Sequence, residues 1–285
     1  MDITVITPFY KGNAYMETLF GCVRRNAQAV PGKAVELILV NDSPDQPIQY
    51  EESWVSGFSV RIVTNSQNSG IHRSRVNGLR EAAGTYIQFL DQDDLLSDNA
   101  FASQLPLMEN ADVVIANGFD QNPKSYGPIY KSLVHQQQAA KPRFYYTVGN
   151  QIVSPGHCLI RKDAIPAGWY DTCIRRNGAD DLLLWLMMFA ENARFVINPA
   201  QLYTHVDTGE NVSANTEKMH KSSLEVLQVL KTENRISPRQ ARRYLRSCAM
   251  SRRYIGRSKA RKILVMLCYP DVALERVALQ LMKKF

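Results

Sequence analysis

Residues 84–94 read GTYIQFLDQDD, a turn, an apolar strand pattern and then a polar end that is mostly acidic. Aromatic and β-branched residues dominate residues 85–90, which predicts a strand. Three carboxylates, Asp91, Asp93 and Asp94, therefore follow directly at the carboxyl end of one strand. This strand end is the starting point for predicting both the fold and the site.

Strand and helix patterns alternate before this stretch. Residues 3–7, 35–40 and 60–63 are short apolar strand patterns, and residues 14–29 and 72–83 carry apolar residues at helical spacing. Such alternation predicts an α/β fold, with a Rossmann-like, mostly parallel sheet flanked by helices. Ligands of such sheets bind beyond the carboxyl ends of the strands.

The predicted strand ends carry aromatic and acidic residues. Pro8 and Tyr10 follow the first strand, Asp42 the second, and Asp91 and Asp93 the fourth. We expect them to meet in one crevice, where the carboxylates suit a hard divalent ion such as Mg²⁺ or Mn²⁺. The alternative for the acidic cluster is a solvated turn that caps the next helix.

The later chain is less regular. Residues 111–116, 152–160 and 195–197 are predicted strands, and residues 180–192 a helix. The aromatic-rich stretch 118–149 has no clear period, and we interpret it as a loop over the crevice. From about residue 216 onward, helical patterns dominate to the end.

Composition excludes several classes of protein. Of 285 residues, 45% are hydrophobic and 21% charged, which is typical of a folded globular chain rather than a disordered one. The five cysteines are scattered, which argues against a disulfide framework and a thiolate zinc site. The longest apolar run, residues 263–269, is too short to span a membrane, and no signal peptide pattern is found. We expect a cytoplasmic protein.

The formal net charge of +7 is concentrated near the end of the chain. Residues 235–262 contain 11 basic and no acidic residues. The change to a strongly basic, helical sequence late in the chain predicts two parts, an α/β domain, 1–215, and a basic helical C-terminal region, 216–285. Basic helices that also carry apolar residues are typical of proteins at anionic membrane surfaces. Nucleic acid and a plain solvated face are the alternatives.

The motifs resemble those of the family 2 glycosyltransferases. That family has a strand followed by Pro-x-Tyr, a strand ending in Asp, a segment with Asn-x-Gly and Arg-x-Asn-x-Gly, and Phe-Leu-Asp-x-Asp-Asp. In this chain the four elements are residues 7–10, 40–42, 68–78 and 84–94. The resemblance implies a GT-A fold and an inverting glycosyltransferase that uses a nucleotide sugar, with a UDP-sugar as the expected donor.

The resemblance also implies roles for individual residues. Asp42 would accept from a uracil ring nitrogen, and Asp91 would face the ribose or the donor sugar. Asp93, helped by His205 from a later segment, would bind Mn²⁺ or Mg²⁺. For Arg75, a purely structural salt bridge is an equal alternative. For His205, a structural role is likewise an equal alternative. The donor-binding residues implied are Pro8, Phe9, Tyr10, Asp42, Asn68, Arg75, Asp91 and Gln92.

A second block of resemblance is residues 178–185, GADDLLLW. In the family a Glu-Asp pair opens this helix, and its Asp deprotonates the acceptor hydroxyl. Asp181 matches that base and Asp180 replaces the usual Glu, so which of the two acts stays open. A carboxylate at a helix N-terminus stays ionised and can accept a proton. A pair that merely starts the helix is the alternative.

The expected function is sugar transfer to an acceptor hydroxyl, on a lipid-linked saccharide in cell-surface polysaccharide synthesis. The basic helices would hold the chain at the inner face of the plasma membrane. The alternatives are a nucleotidyltransferase, a non-catalytic nucleotide-binding scaffold, and a dinucleotide-dependent oxidoreductase. This chain has no glycine-rich basic loop after strand one, which a nucleotidyltransferase would need. It also has no Gly-x-Gly-x-x-Gly after that strand, which a dinucleotide-dependent oxidoreductase would need. No nucleic-acid motif is found, and self-association is left open.

Overall fold

The structure is a computed structural model that describes residues 1–123, 125–176, 178–209 and 215–284. Its strands are β1 (Ile3–Phe9), β2 (Val35–Asn41), β3 (Ser59–Thr64), β4 (Tyr86–Phe89), β5 (Leu95–Leu96), β6 (Val113–Asn122), β7 (Ser125–Pro128), β8 (Cys158–Arg161) and β9 (Phe195–Val206). Its helices are α1 (Met16–Gln28), α2 (Ile71–Glu81), α3 (Ala100–Gln104), α4 (Leu133–Gln137), α5 (Ala167–Asp171), α6 (Asp180–Ala190), α7 (Thr216–Thr232), α8 (Pro238–Tyr254), α9 (Lys259–Cys268) and α10 (Pro270–Met282).

The strands form one sheet in the order β3-β2-β1-β4-β8-β6-β9-β5, with β7 paired to β6. The first four strands in this order are parallel, whereas β8 is antiparallel to both of its neighbours. Parallel pairing brings the carboxyl ends of β1, β2 and β4 to one edge of the sheet. The predicted α/β architecture with flanking helices is confirmed.

Helices cover both faces of the sheet at its centre, so β1 and β2 are buried on both sides. In β2, Ile38 and Val40 pack into the core that contains α2 and α6, while Leu37 and Leu39 pack into the core beneath α1. All four side chains are fully buried. Residues 37–40 of β2 therefore form a continuous apolar run, and the strand ends with Asn41 at the sheet edge.

The prediction that residues 118–149 form a loop over the crevice is wrong. Strand β6 continues to Asn122 and forms a hairpin with β7, and α4 and a 3-10 turn over Pro142–Tyr146 follow. Phe144 and Tyr145 are fully buried, the latter in the same core as α6. Tyr130 and Tyr146 are buried as well, whereas Tyr126 on β7 is 61% exposed, so the aromatic residues of this stretch show no simple surface period.

The predicted strand over residues 152–160 is shorter than expected. Only Cys158–Arg161 is a strand, because Ser154 caps a short 3-10 turn that begins at Pro155. The Ser154 hydroxyl accepts a hydrogen bond from the Gly156 amide at 3.0 Å. A proline and a capping serine end the extended conformation before the apolar pattern does.

The helical prediction from residue 216 onward is confirmed. Helix α7 and the first half of α8 pack against the main core through Val226, Leu230 and Tyr244. The end of α8 joins α9 and α10 in a smaller cluster that includes Met250 and Val272. The boundary at residues 215/216 stays a prediction. Within the described ranges, none of the helices combines the length and the apolar character that crossing a bilayer requires.

Candidate active site

A cavity of about 600 Å³ opens at the edge where β1, β2 and β4 end. We call it the sheet-edge cavity. The structure brings all the sequence-predicted site residues to its walls, namely Pro8, Phe9, Tyr10, Asp42, Asn68, Arg75, Asp91, Gln92, Asp93, Asp180, Asp181 and His205. Other walls come from a segment that includes Val153, Ser154 and Pro155.

Asp42 organises the loop that follows β3. Its carboxylate accepts hydrogen bonds from the Asn65 side chain (2.8 Å) and from the amides of Ser69 (2.6 Å) and Gly70 (2.9 Å). A carboxylate has about four acceptor positions, so one remains for a ligand. Gly70 has a φ of 84°, a conformation that favours glycine. These contacts bring Asn68 to the cavity wall.

Sequence reasoning assigned no role to Asn65. Its side chain donates to Asp42, and also to the Ser74 hydroxyl at 3.0 Å, and accepts from Asn77 at 2.7 Å. The available signal was its position directly after a strand, in the turn-forming stretch 65–70. Asn65 therefore ties the loop after β3 to helix α2 behind the cavity.

The loop after β1 is held by Gln92. The Gln92 side chain accepts from the Tyr10 amide at 3.0 Å and donates to the Tyr10 carbonyl at 3.2 Å. Phe9 is fully buried in the core, whereas the Tyr10 side chain is 48% exposed. The clamp fixes the backbone of Tyr10 and leaves its ring accessible for stacking on a flat ligand.

Arg75 joins the two acidic motifs. From helix α2, its Nη2 lies 2.6 Å from Asp91 Oδ1 and its Nη1 lies 2.7 Å from Asp180 Oδ2. Although burial disfavours the charged form, the carboxylates of Asp91 and Asp180 raise the pKa of Arg75 further. The arginine thus forms a buried structural ion pair and also lines the cavity.

The two carboxylates that open α6 have opposite environments. Burial by itself would raise the pKa of Asp180, but the charge of Arg75 lowers it. For Asp181, burial and then the charge of Asp180 raise the pKa to about 7. Asp180 therefore stays ionised and paired, whereas Asp181 can take up and release a proton near neutral pH.

The Asp181 carboxylate is held by two donors. Its Oδ2 accepts from the Asn150 side chain at 2.7 Å, and its Oδ1 accepts from the Leu182 amide at 2.7 Å. Asn150 was not predicted as a site residue, and it lies in a stretch that the sequence left unassigned. These bonds fix the orientation of the carboxylate at the cavity wall.

Asp94 has a different position from its neighbour Asp93. Asp94 is buried and accepts hydrogen bonds from the Tyr203 hydroxyl and from the amide of Val206 (3.0 Å), so it is not a helix cap. His205 Nδ1 lies 3.1 Å from Asp94 Oδ1. Burial alone would lower the pKa of His205, but its hydrogen bond to Asp94 raises it to about 9.

Asp93 and His205 could both contribute to a cation site, provided that the bound cation displaces the proton that His205 carries at a pKa of about 9. Burial, followed by the charges of Asp94 and Asp91, raises the pKa of Asp93 to about 6. A bound cation would stabilise the ionised carboxylate and so lower this pKa. At metal sites, a ligating histidine commonly forms a hydrogen bond to a carboxylate, as His205 does to Asp94. Among the described residues, no three His, Cys, Asp or Glu side chains are already grouped as a metal site. Asp93 and His205 are therefore the candidate side-chain ligands for a hard cation at this cavity.

A second cavity of about 500 Å³ adjoins the first. We call it the helical cavity, because α7 and α8 supply about half of its lining, and residues 148–153 contribute much of the rest. Val153, Gly178 and Asp181 line both cavities. Asp181 thus stands where the two spaces meet.

The sequence profile of Glycosyl transferase family 2 matches residues 4–169, more than half of the chain. The chain belongs to this family. The minor teichoic acid biosynthesis protein GgaB of Bacillus subtilis is 36% identical over 106 residues, which are 36% of this chain and 12% of GgaB. An uncharacterized glycosyltransferase of Haemophilus influenzae is 23% identical over 226 residues, 77% of this chain and 74% of that protein.

Solved structures show the same fold. The poly(ribitol-phosphate) β-N-acetylglucosaminyltransferase TarS of Staphylococcus aureus is 28% identical over 99 residues, 34% of this chain and 17% of TarS. A crystal structure of TarS 1-349 in complex with UDP-GlcNAc superposes with a TM-score of 0.57 and 17% identity, covering 98% of this chain and 92% of that one. The predicted GT-A fold of this family 2 member is confirmed.

Proposed function

We propose that this family 2 member is an inverting glycosyltransferase that moves a sugar from a UDP-sugar to an acceptor hydroxyl. One observation carries the proposal: Asp181, with a pKa of about 7, faces the same cavity as the carboxylates Asp91 and Asp93. The crystal structure of TarS 1-349 in complex with UDP-GlcNAc supports the choice of donor. The chemistry is assigned to domain 1–215.

The donor would lie in the sheet-edge cavity. Tyr10 offers an exposed ring for the base, and Asp42 keeps one acceptor position for a ring N–H. Asp91, held by Arg75, would face the ribose or the sugar. Asp93 and His205 would hold Mn²⁺ or Mg²⁺, which when bound supplies positive charge for the departing diphosphate.

Asp181 would act as the general base. The acceptor oxygen forms a bond to the anomeric carbon as the bond from that carbon to the diphosphate breaks, and the acceptor proton passes to Asp181. Attack from the face opposite the leaving group inverts the anomeric centre, and no sugar–enzyme bond forms. Asp180 keeps its negative charge beside Arg75, so it raises the pKa of Asp181 instead of competing for the proton.

The basic helical region, 216–285, would hold the enzyme at an anionic membrane surface. Ile263, Leu264 and Leu267 on α9 are 59–70% exposed, and Leu274 on α10 is 70% exposed. Residues 257–262 place four basic side chains beside them. Apolar insertion together with attraction to anionic lipid would bind this surface, with about 1 kcal/mol from each basic residue.

A lipid-linked acceptor in cell-surface polysaccharide synthesis would be reached at this surface. The names of GgaB and TarS, both concerned with teichoic acid or poly(ribitol-phosphate), support that setting. Flotation with vesicles that contain phosphatidylglycerol tests the surface. The wild-type protein should bind these vesicles, and the Leu264→Glu/Leu267→Glu variant should not. If the wild-type protein bound neutral vesicles equally strongly, the proposed attraction to anionic lipid would be refuted.

A screen of nucleotide sugars tests the proposed activity. We expect consumption of a UDP-sugar in the presence of Mn²⁺, loss of activity with a chelator, and recovery when Mn²⁺ is restored. Asp93→Asn should weaken the response to Mn²⁺, whereas Asp98→Asn, an exposed carboxylate on the same segment, should not. A protein that binds UDP but consumes no donor with any acceptor would be a scaffold.

A further inference from the structure

We propose that the helical cavity is the acceptor site, and that α7 and α8 select a saccharide that carries an apolar group. This inference rests on the proposed function, because it takes Asp181 as the base. The acceptor oxygen must come within hydrogen-bonding distance of that carboxylate. Asp181 lines both the helical cavity and the sheet-edge cavity, and the sheet-edge cavity contains the predicted donor residues.

The position of Asp181 would let the two substrates approach each other from different cavities. The sheet-edge cavity lies at the ends of β1, β2 and β4, whereas the helical cavity lies between residues 148–153 and the C-terminal helices. An acceptor from the helical side would meet the donor sugar at the shared wall of Val153, Gly178 and Asp181. The Asn150 side chain, which bonds to Asp181, also lines the helical cavity.

The walls of the helical cavity combine apolar and hydroxyl-bearing side chains. The apolar ones include Val148, Ile152, Met219 and Ile255. Ser223 and Ser251 supply hydroxyls from α7 and α8. A volume of about 500 Å³ is within the range of small-molecule sites. Such walls fit a saccharide whose hydroxyls turn toward Asp181 and whose attached group is apolar.

One lining residue of the helical cavity lies close to α9 along the chain. Ile255 lines the cavity and is 52% exposed, and it lies only a few residues before α9 begins at Lys259. The side chains of Ile263, Leu264 and Leu267 on α9 are also exposed. An acceptor with an acyl or polyprenyl group could therefore keep that group on an apolar surface while its sugar enters the cavity.

Paired alkyl glycosides test this site directly. Calorimetry with octyl and methyl β-glucoside, and with the same pair of N-acetylglucosaminides, is carried out on the full chain with UDP present and below micelle formation. We expect the octyl compounds to bind at least about tenfold more tightly, since several methylene groups become buried. Equal binding of the octyl and methyl compounds, or no binding of either, would overturn the proposal.

Matched tryptophan variants on α7 locate the binding. Ser223→Trp and, as a second variant, Met219→Trp fill the cavity and should weaken octyl glycoside binding about tenfold or more, while UDP affinity stays within about twofold. Gln228→Trp, an exposed position on the same helix outside both cavities, should bind like wild type. Binding that survives both cavity variants would belong to the exposed face of α9 and would refute the assignment.

The proposed function and the acceptor site fail in different ways. If wild type consumes no nucleotide sugar but binds octyl glycosides in a manner that Ser223→Trp removes, the activity is wrong and the saccharide site stands. If donor is consumed and Ser223→Trp transfers to octyl glycosides as fast as wild type, the activity stands and the acceptor site is wrong.

Discussion

Arg75 and Asp180 form a buried ion pair, with 2.7 Å between Nη1 and Oδ2, and both side chains are less than 5% exposed. The same guanidinium bonds to Asp91 at the carboxyl end of β4. The pair therefore does two things. It fixes the separation of the two acidic motifs, and it makes Asp180 a permanent anion beside Asp181.

Replacing Arg75 by methionine should destabilise the protein. The change leaves the Asp180 carboxylate buried without its partner, which costs about 3–5 kcal/mol. Urea unfolding followed by circular dichroism measures the loss. Arg25→Met is the matched control, because the Arg25–Asp98 pair is about half exposed and should contribute about 1 kcal/mol or less. Equal losses for the two variants would contradict a special role for the buried pair.

Asp181→Asn should abolish base catalysis while the donor still binds. We expect kcat for transfer to fall by about 10²–10⁴-fold, because an amide cannot accept the acceptor proton. UDP affinity, measured by calorimetry, should change little. Asp163→Asn, an exposed carboxylate-to-amide change outside both cavities, is the control. If Asp181→Asn retains wild-type kcat, another group is the base.

The pH dependence of kcat should show an acidic limb near pH 7. Transfer needs the carboxylate form of Asp181, whose pKa is about 7, so the rate falls as pH drops below that value. Removing the charge of Asp180 with Asp180→Asn takes away one cause of the raised pKa, so the limb should move to lower pH. Glu191→Gln, at the far end of α6, should leave it in place. A limb that moves to higher pH would refute this electrostatic account.

Gly12→Ala should weaken donor binding without much loss of stability. A methyl group at residue 12 would lie 2.2 Å from the Gln92 side-chain oxygen, which must then leave the Tyr10 backbone. Because the end of a flexible side chain moves easily, unfolding free energy should change by less than about 1 kcal/mol, whereas KM for the donor should rise severalfold. Gly127→Ala, where an added methyl meets no atom within 4 Å, is the control. An unchanged KM would mean that the Gln92 clamp does not position the donor loop.

The strands and helices of the first hundred residues follow from local pattern. Apolar runs, helical periods and turn residues act over a few neighbours, so β1, β2, β4 and α2 could be predicted to within a few residues. Residues 118–149 could not, because Tyr145 is buried by packing against α6, which lies far along the chain. A contact between residues so far apart in the chain cannot be predicted from the pattern of neighbouring residues.

The sequence by itself determined that acidic and aromatic residues end neighbouring parallel strands and that Asp180 and Asp181 open a later helix. Only the tertiary structure decided how these two carboxylates differ. Arg75, from helix α2, keeps Asp180 ionised, while burial and the neighbouring anion raise the pKa of Asp181. The physical reason is that a strand end or a helix start depends on adjacent residues, whereas the protonation of a buried carboxylate depends on charges that folding brings in from distant segments.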